Sequence, residues 1–320
     1  MDSRRAPESP GARSWWRVWG LDASIVVDDP GALAHARETA ERELAQTTAA
    51  CSRFEPDSEL SRINRGPRPS AGTELSPLLA EFVGAALRVA ADTHGAVDPT
   101  LGADLERLGY SSDFSALPRE SGRPVRLGGV PADVTHTRAP GWARTSLTGR
   151  TLRLPDDLQL DLGATAKALA ADRIATRVAV ETGTAVLVSL GGDIATAGPS
   201  TRRWEVLIQD RDDDPAQQIS IGSGTAVATS STQKRRWMHA GVEQHHILDP
   251  RFGRPVRPEW RSVTVAAPTC LAANALSTAA IVRGRSAASW MRSAGAAARL
   301  VALDGSVVTT GAWPREEAAS

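Results

Sequence analysis

Cysteine, net charge and long apolar runs are all scarce in this chain, and each absence excludes a class of protein. The 320 residues include only two cysteines, Cys51 and Cys270, too few for a secreted scaffold built on disulfides. Lys and Arg together count 37, as do Asp and Glu, so no overall field draws the protein to nucleic acid or to an anionic membrane. No uninterrupted apolar run approaches the roughly 20 residues that span a bilayer, and the first residues lack the apolar core of a signal peptide. We therefore expect a cytoplasmic protein with no nucleic-acid partner and no membrane span.

The apolar content allows one large core or two smaller ones, and its periodicity indicates helices mixed with strands. Of the residues, 41% are apolar and 23% charged, a balance that can bury a core without covalent staples. Helical spacing of apolar side chains predicts helices over 31–51, 76–93, 163–181 and 271–283. Runs typical of strands cover 19–28, 151–154, 184–190, 203–209, 217–228, 261–267 and 298–303. Because the strands cluster in the second half with few regular crossovers, we expect an α+β fold with a mainly antiparallel sheet and packed helices.

Composition also divides the chain into a domain and two tails. Residues 1–13 and 315–320 are polar, and we expect both to be disordered. The remaining 14–314 read as one domain without internal repeats. Within it, 111–146 is rich in Pro, Gly and Arg without clear periodicity, and is either an elaborated loop or a small subdomain.

The segment His245-His246-Ile247-Leu248-Asp249-Pro250 is the most informative stretch. It places two imidazoles and a carboxylate at the end of a short apolar run closed by a turn, in a chain with only six histidines. A strand that simply ends in a turn explains it about as well when it is taken alone. Other polar clusters, at 51–64, 98–102, 161–167, 189–194 and 229–231, favour a functional site, because they occur where the chain is expected to turn or to start a helix.

Asp161 and Lys167 flank the expected start of the third helix. Asp161 alone is typical of an ordinary helix N-cap. Lys167 lies among small residues and needs a partner, which Asp161 or a ligand phosphate would provide. After the next apolar run, Gly191-Gly192-Asp193 either forms a tight turn or lets the backbone approach a ligand closely.

Two further groups carry candidate ligands. Asn274 and Thr278 are four residues apart on an expected helix, so they share one face and offer oxygen atoms to a hard cation such as Mg²⁺; a polar spot in an Ala-rich packing face is the alternative. Arg235 and Arg236 precede Trp237 and supply cations beside an aromatic ring, unless they are a solvated charge pair.

The order and spelling of these clusters resemble a known family. The matching segments are CSRFEPDSELSRIN, DPTLG followed by Leu108-Gly109-Tyr110, LDLGATAK, SLGGDI, ATSS followed by RRW, HHILDP, and SVTVAA leading to ANALSTAA. Together they are similar to the ApbE family of flavin transferases, from about Trp16 to Thr310. The resemblance implies an ApbE-like T-fold that binds FAD as its substrate. With Mg²⁺, such proteins transfer FMN from FAD to a threonine of an acceptor flavoprotein and release AMP.

Carried over by position, the resemblance also implies site residues. The metal ligands fall on the main-chain oxygen of Ala164 and the side chains of Asn274 and Thr278. The FAD contacts fall on Ala96, Val97, Asp98, Asp161, Lys167 and the segment from His246 through Ile247 to Leu248, and the Gly191-Gly192-Asp193 turn, named above from its glycines, is a further candidate for contact with FAD. His246 matches the catalytic base, a role that imidazole can fill near neutral pH, and Asp249 would orient it or form the turn.

The chain departs from the family pattern at three places. Asn274 stands where the family has Asp, Ala168 follows Lys167 where the family has Gly, and Ser231 and Gln233 stand where it has Gly and Tyr. The first departure removes a negative charge from the magnesium site, and the last removes a stacking ring that Trp237 would replace. Three functions therefore stay open: FMN transfer to a protein threonine, magnesium-dependent FAD hydrolysis to FMN and AMP with water as acceptor, and FAD binding without efficient catalysis.

Overall fold

Local sequence signals set the ends of the long helices. A computed structural model describes residues 11–112, 114, 117, 137–200 and 203–314. The helices are α1 (Leu33–Cys51), α2 (Glu59–Arg65), α3 (Pro77–Asp92), α4 (Gly102–Arg107), α5 (Ala166–Thr182), α6 (Cys270–Arg283) and α7 (Ala287–Ser293). The Ser76 hydroxyl caps α3 just before Pro77 at its first position, and Gly183 ends α5 in the left-handed conformation that glycine tolerates best. The four helices expected from apolar periodicity are confirmed, whereas α2, α4 and α7 are too short to show it.

Seventeen strands are present among the described residues. They are β1 (Ala12–Val18), β2 (Leu21–Val27), β3 (Thr73–Glu74), β4 (Ser146–Thr148), β5 (Thr151–Arg153), β6 (Val186–Leu190), β7 (Asp193–Ala197), β8 (Arg203–Ile208), β9 (Gln217–Gly222), β10 (Ala226–Ser231), β11 (Arg236–His239), β12 (Val242–His245), β13 (Leu248–Asp249), β14 (Arg254–Pro255), β15 (Trp260–Ala267), β16 (Ala297–Ala302) and β17 (Val307–Thr310). Eight of them form one sheet in the order β1-β2-β6-β7-β10-β15-β16-β17. All of its pairings are antiparallel, so the expected α+β fold with an antiparallel sheet is confirmed.

The large sheet separates two packing layers. On one face, side chains of β2, β6, β10 and β15 bury against α1, α5, α6 and α7 in the main core. On the other, Val26, Leu187 and Val227 pack under the β8–β9 hairpin with Trp204. Neighbouring residues such as Ile25 and Val26 serve opposite cores because side chains alternate along a strand. The sheet therefore holds the ends of α5 and α6 on one side and the β8–β9 hairpin on the other.

Four sequence expectations need correction or lie wholly or mostly outside the described residues. The strand expected over 217–228 is two strands, because the chain turns at Gly224 (φ +78°). Strand β1 begins at Ala12, inside the stretch assigned to the N-terminal tail. Most of the expected loop or subdomain over 111–146 lies outside the described residues, which resume at 137 with a short 3₁₀ turn at Trp142–Arg144 and then β4. The tail at 315–320 lies outside them as well.

Candidate active site

A single cavity collects most of the residues that the sequence singled out. It has a volume of about 380 Å³. Every site residue named from the sequence lines it except Asp193 and Asp249. Segments far apart in the chain therefore meet at one place, between the start of α5, the first turns of α6, the turn joining β6 to β7, the end of β8, and the open end of the β11–β12 ribbon.

One side of this cavity, which we call the helix wall, consists of Lys167 from α5 with Asn274 and Thr278 from α6. Lys167 Nζ lies 2.5 Å from the carboxylate of Asp193, which is only 1% exposed. Asn274 directs its amide nitrogen toward the same carboxylate at 3.4 Å. Asp193 thus lies behind the cavity and fixes two of its lining side chains. The expectation that Asp161 would be the partner of Lys167 is wrong, because Asp193 at the start of β7 takes that place.

Oxygen atoms dominate the part of the helix wall where a cation is expected. The Asn274 side-chain oxygen is buried and has no hydrogen-bond donor among the described residues, as an oxygen held for another ligand would be. The Thr278 hydroxyl lies 2.8 Å from Ser230 Oγ, and Ser230 Oγ lies 2.8 Å from Ser277 Oγ. Among the described residues no cluster of three or more His, Cys, Asp or Glu side chains is suited to a metal ion. Donors at Ala164, Asn274 and Thr278 fit Mg²⁺ only as neutral oxygen ligands that substrate phosphates complete.

The turn between β6 and β7 supplies a stretch of bare backbone. Gly191 and Gly192 have φ of +61° and +94°, as both central residues of a tight two-residue hairpin require. No atom beyond its neighbours lies within 4 Å of where a Cβ on Gly192 would be. The tight turn expected for this motif is confirmed, and Gly191 and Gly192 line the cavity; close approach of their backbone to a ligand stays a prediction.

The opposite side, which we call the ribbon wall, consists of Arg235 and His246. Strands β11 and β12 pair with Arg236 opposite His245. Arg235 and His246, one residue further out on each chain, therefore face each other at the open end of the ribbon. Trp237 of β11 anchors the ribbon, because its indole nitrogen donates to the Leu108 carbonyl at 2.7 Å.

The two adjacent histidines have different environments. His245 is buried, with Nε2 2.9 Å from the Val256 carbonyl oxygen and Nδ1 accepting from the Ile247 amide. Its burial lowers the pKa of His245 to about 4. His246 lines the cavity, and its Nδ1 has no hydrogen-bond partner among the described residues. Burial, followed by the charge of Arg235, lowers the pKa of His246 well below that of an ordinary histidine. At neutral pH both rings are uncharged, so His246 is in the form that accepts a proton.

Asp249 has the turn-forming role of the two expected for it. Its main-chain oxygen accepts from Phe252 and Gly253, and its carboxylate is paired with Arg251 at 2.7 Å. It does not line the cavity. The structure therefore supports the turn-forming role of Asp249 and not the role of orienting His246.

The aromatic end of the cavity contains residues whose roles the sequence did not reveal. Phe54 and Tyr110 line it, with ring centroids 5.4 Å apart. Tyr110 stacks at 5.0 Å on Trp237, which lies behind it. The expected replacement of the missing tyrosine by Trp237 is thus wrong, because Trp237 supports Tyr110 from outside the cavity. Phe54 and Tyr110 belong to two of the segments that resemble the family, but their separation along the chain does not indicate that the two rings meet.

Asp161 closes this end through a buried ion pair. Its carboxylate pairs with Arg53, whose side chain is only 4% exposed and lies over the Phe54 ring. The same carboxylate accepts from the Gly163 amide. Helix α5 begins five residues later, with Thr165 at its N-cap, so the N-cap reading of Asp161 is wrong. Nearby, Asp98 is held by the amide and hydroxyl of Thr100 at 2.9 and 2.6 Å.

Comparison with known proteins shows the family of the chain. The ApbE family model matches residues 19–300. The chain is 29% identical to a FAD:protein FMN transferase of Salmonella typhimurium, over 84% of this chain and 75% of that protein. It is 30% identical to one of Treponema pallidum, over 71% and 66%.

Solved structures show the same likeness. The ApbE protein of Thermotoga maritima superposes with a TM-score of 0.78 at 27% identity, covering 94% of this chain and 97% of that one. The apo flavinyl transferase ApbE of Pseudomonas stutzeri gives 0.72 at 26% identity, covering 94% of both chains. With a family match over most of its length and the same fold, this chain belongs to the ApbE family.

Proposed function

We propose that this protein transfers FMN from FAD to a threonine hydroxyl of an acceptor flavoprotein, with AMP as the other product. The observation that carries the proposal is the meeting, in one cavity, of an uncharged histidine, a fixed lysine and a bare glycine turn. The names of the relatives support the same activity. Binding of FAD would use the aromatic end for a planar ring and the glycine turn with Lys167 for the pyrophosphate.

The step is a phosphoryl transfer with water or a hydroxyl as nucleophile. The threonine oxygen forms a bond to the FMN phosphorus, the bond from that phosphorus to the bridging oxygen breaks, and AMP leaves with the bridging oxygen. The hydroxyl proton goes to His246. In-line displacement of this kind depends mainly on positioning and on charge stabilisation, which the fixed helix wall supports.

Magnesium would be held by the main-chain oxygen of Ala164 and the side-chain oxygens of Asn274 and Thr278. When bound there it would neutralise charge on the pyrophosphate. Asn274 contributes no charge of its own, so the substrate phosphates would complete the site. The chain's residues would do the remaining work: Lys167 binds phosphate oxygens, and His246 moves the proton.

FAD hydrolysis is the second candidate, because the same cavity would admit water in place of threonine. A mixture of protein, FAD, Mg²⁺ and a threonine-bearing flavoprotein domain separates the two. Transfer predicts AMP without an equal amount of free FMN, and hydrolysis predicts AMP and free FMN in equal amounts whether or not the acceptor is present. Absence of both products would reject the enzymatic proposals and leave FAD binding alone.

Among the described residues, no helix has the length and apolar character to cross a bilayer. A cytoplasmic location stays a prediction from the sequence.

A further inference from the structure

Three consecutive cations, Lys234, Arg235 and Arg236, lie between β10 and β12, and their partners differ. Lys234 Nζ lies 3.0 Å from the buried carboxylate of Asp210. Arg236 donates to the Thr232 carbonyl at 2.7 Å and pairs with Glu243 at 3.1 Å. Within the described ranges, no acceptor is recorded for the guanidinium of Arg235. Of the three, Arg235 is the cation whose charge remains available to a ligand.

The remaining cations near the cavity have other surroundings. Lys167 lines the cavity and is paired with Asp193. Arg53 does not line it: its Nε pairs with Asp161, and its two terminal nitrogens are buried without a hydrogen-bond partner among the described residues. A dinucleotide pyrophosphate would therefore meet two lysines already held by carboxylates and one arginine that is not. A guanidinium without a protein acceptor in the cavity wall is available to an incoming anion, and its planar fork matches phosphate oxygens.

The β11–β12 register defines where that guanidinium acts. Because Arg236 pairs with His245, Arg235 and His246 occupy opposite sides of the ribbon end and both line the cavity. A group attacked by a hydroxyl that is deprotonated by His246 would lie within reach of Arg235. Asn274, which brings no charge to the helix wall, increases the need for such a cation.

We infer that Arg235 binds the non-bridging oxygens of the phosphoryl group that is transferred, opposite His246, and stabilises the charge that develops there. This inference rests on the proposed function, because it names the residue that holds the group in transit. Arg235 then holds the phosphoryl oxygens with a guanidinium that has no other recorded acceptor within the described ranges, whereas Lys167 would share its ammonium between Asp193 and the pyrophosphate.

Arg235→Gln and Arg235→Lys test it, with Arg236→Gln as the matched control in the next position. The probes are FAD, ADP and riboflavin, of which riboflavin lacks phosphate. We expect Arg235→Gln to weaken FAD and ADP roughly 10- to 100-fold, the range for a hydrogen bond to a charged group, and to leave riboflavin unchanged. The single-turnover rate of FAD cleavage should fall on the order of 10²–10³-fold, as for loss of one transition-state donor. Arg235→Lys, which keeps the charge but not the fork, should be intermediate.

Arg236→Gln should change neither binding nor cleavage. The inference is overturned if riboflavin loses as much affinity as FAD, which would indicate a packing role, or if Arg235→Gln binds and cleaves FAD like the parent. If the parent protein produces no AMP, the proposed function fails, but the comparison of ADP with riboflavin still tests whether Arg235 binds phosphate.

Discussion

The helix wall and the ribbon wall of the cavity differ in how their polar groups are satisfied. On the helix wall, Lys167 and the Asn274 amide nitrogen are both directed to Asp193 and Thr278 is hydrogen-bonded to Ser230, and the Asn274 side-chain oxygen alone of these groups lacks a partner among the described residues. On the ribbon wall, Arg235 has no anionic partner among the described residues and His246 Nδ1 has no hydrogen bond. The contrast teaches that one wall is built to hold a ligand in a fixed place, whereas the other keeps reactive groups free to act on it.

The supports of the two walls explain the difference. The helix wall rests on α5 and α6, which pack against the large sheet through the main core. The ribbon wall ends a two-stranded ribbon that Trp237 ties to the loop at Leu108. Groups fixed by a core suit binding, and groups at the end of a ribbon can adjust to an incoming acceptor.

Removal of the proposed base, His246, from the ribbon wall should have the largest effect. We expect His246→Ala to bind FAD nearly normally and to lose on the order of 10²–10⁴ in transfer rate, the range for loss of a general base. Its residual rate should rise with pH as hydroxide takes over. Rapid-quench measurement of AMP and fluorescence titration of FAD check the two parts.

His245→Gln is the matched control, since it changes the neighbouring imidazole that faces away from the cavity. Its folded fraction should transfer FMN close to the parental rate, although its melting temperature falls because the bond to Val256 is altered. If His245→Gln were slow and His246→Ala active, the assignment of His246 as the base would be wrong.

Acid should destabilise the fold through the same histidine. Because burial lowers the pKa of His245 to about 4, while an unfolded histidine titrates near 6.5, the unfolded chain binds more protons between those pH values. Stability should therefore fall as pH falls from 6.5 toward 4, by on the order of 3 kcal/mol from this residue. Urea unfolding at several pH values measures it, and the loss over this window should be smaller in His245→Gln. An equal loss in both proteins would mean that other groups cause the acid sensitivity.

The smallest expected effect comes from restoring charge to the helix wall. Asn274→Asp should lower the magnesium concentration for half-maximal activity several-fold, because a carboxylate is a stronger ligand for a hard cation. Without metal, the new carboxylate faces Asp193 in place of the amide, so the melting temperature should fall by a few degrees, and magnesium should restore it. A magnesium requirement unchanged in both Asn274→Asp and Asn274→Ala would show that this side chain is not a ligand.

Elements with their own periodicity could be predicted from the sequence. Helices α1, α3, α5 and α6 and five strands of the large sheet, β2, β6, β10, β15 and β16, show apolar runs or spacing that indicated them, whereas β1, β7 and β17 of the same sheet were not expected. The short helices α2 and α4, with seven and six residues, complete too few turns for such a pattern. The break between β9 and β10 depends on a single glycine with positive φ, which the apolar run around it concealed.

Most residues that line the cavity could be predicted by motif, but their side-chain partners could not. Asp161 and a ligand phosphate were the two partners expected for Lys167; in the structure Lys167 pairs with Asp193, whereas Asp161 pairs with Arg53 from a distant segment. These choices are made by tertiary packing of α5 against β7 and of residues near α2 against 161–163. The pairing of Arg236 with His245, which sets Arg235 against His246, likewise depends on the ribbon's register and not on spacing.

The most direct test of FMN transfer is the intact mass of a threonine-bearing flavoprotein domain after incubation with this protein, FAD and Mg²⁺, beside an acceptor in which that threonine is replaced by valine. The account predicts one covalently attached FMN on the threonine acceptor, an equal amount of AMP, and no mass change in the valine acceptor. An unmodified threonine acceptor, with FAD converted to free FMN and AMP, would contradict it.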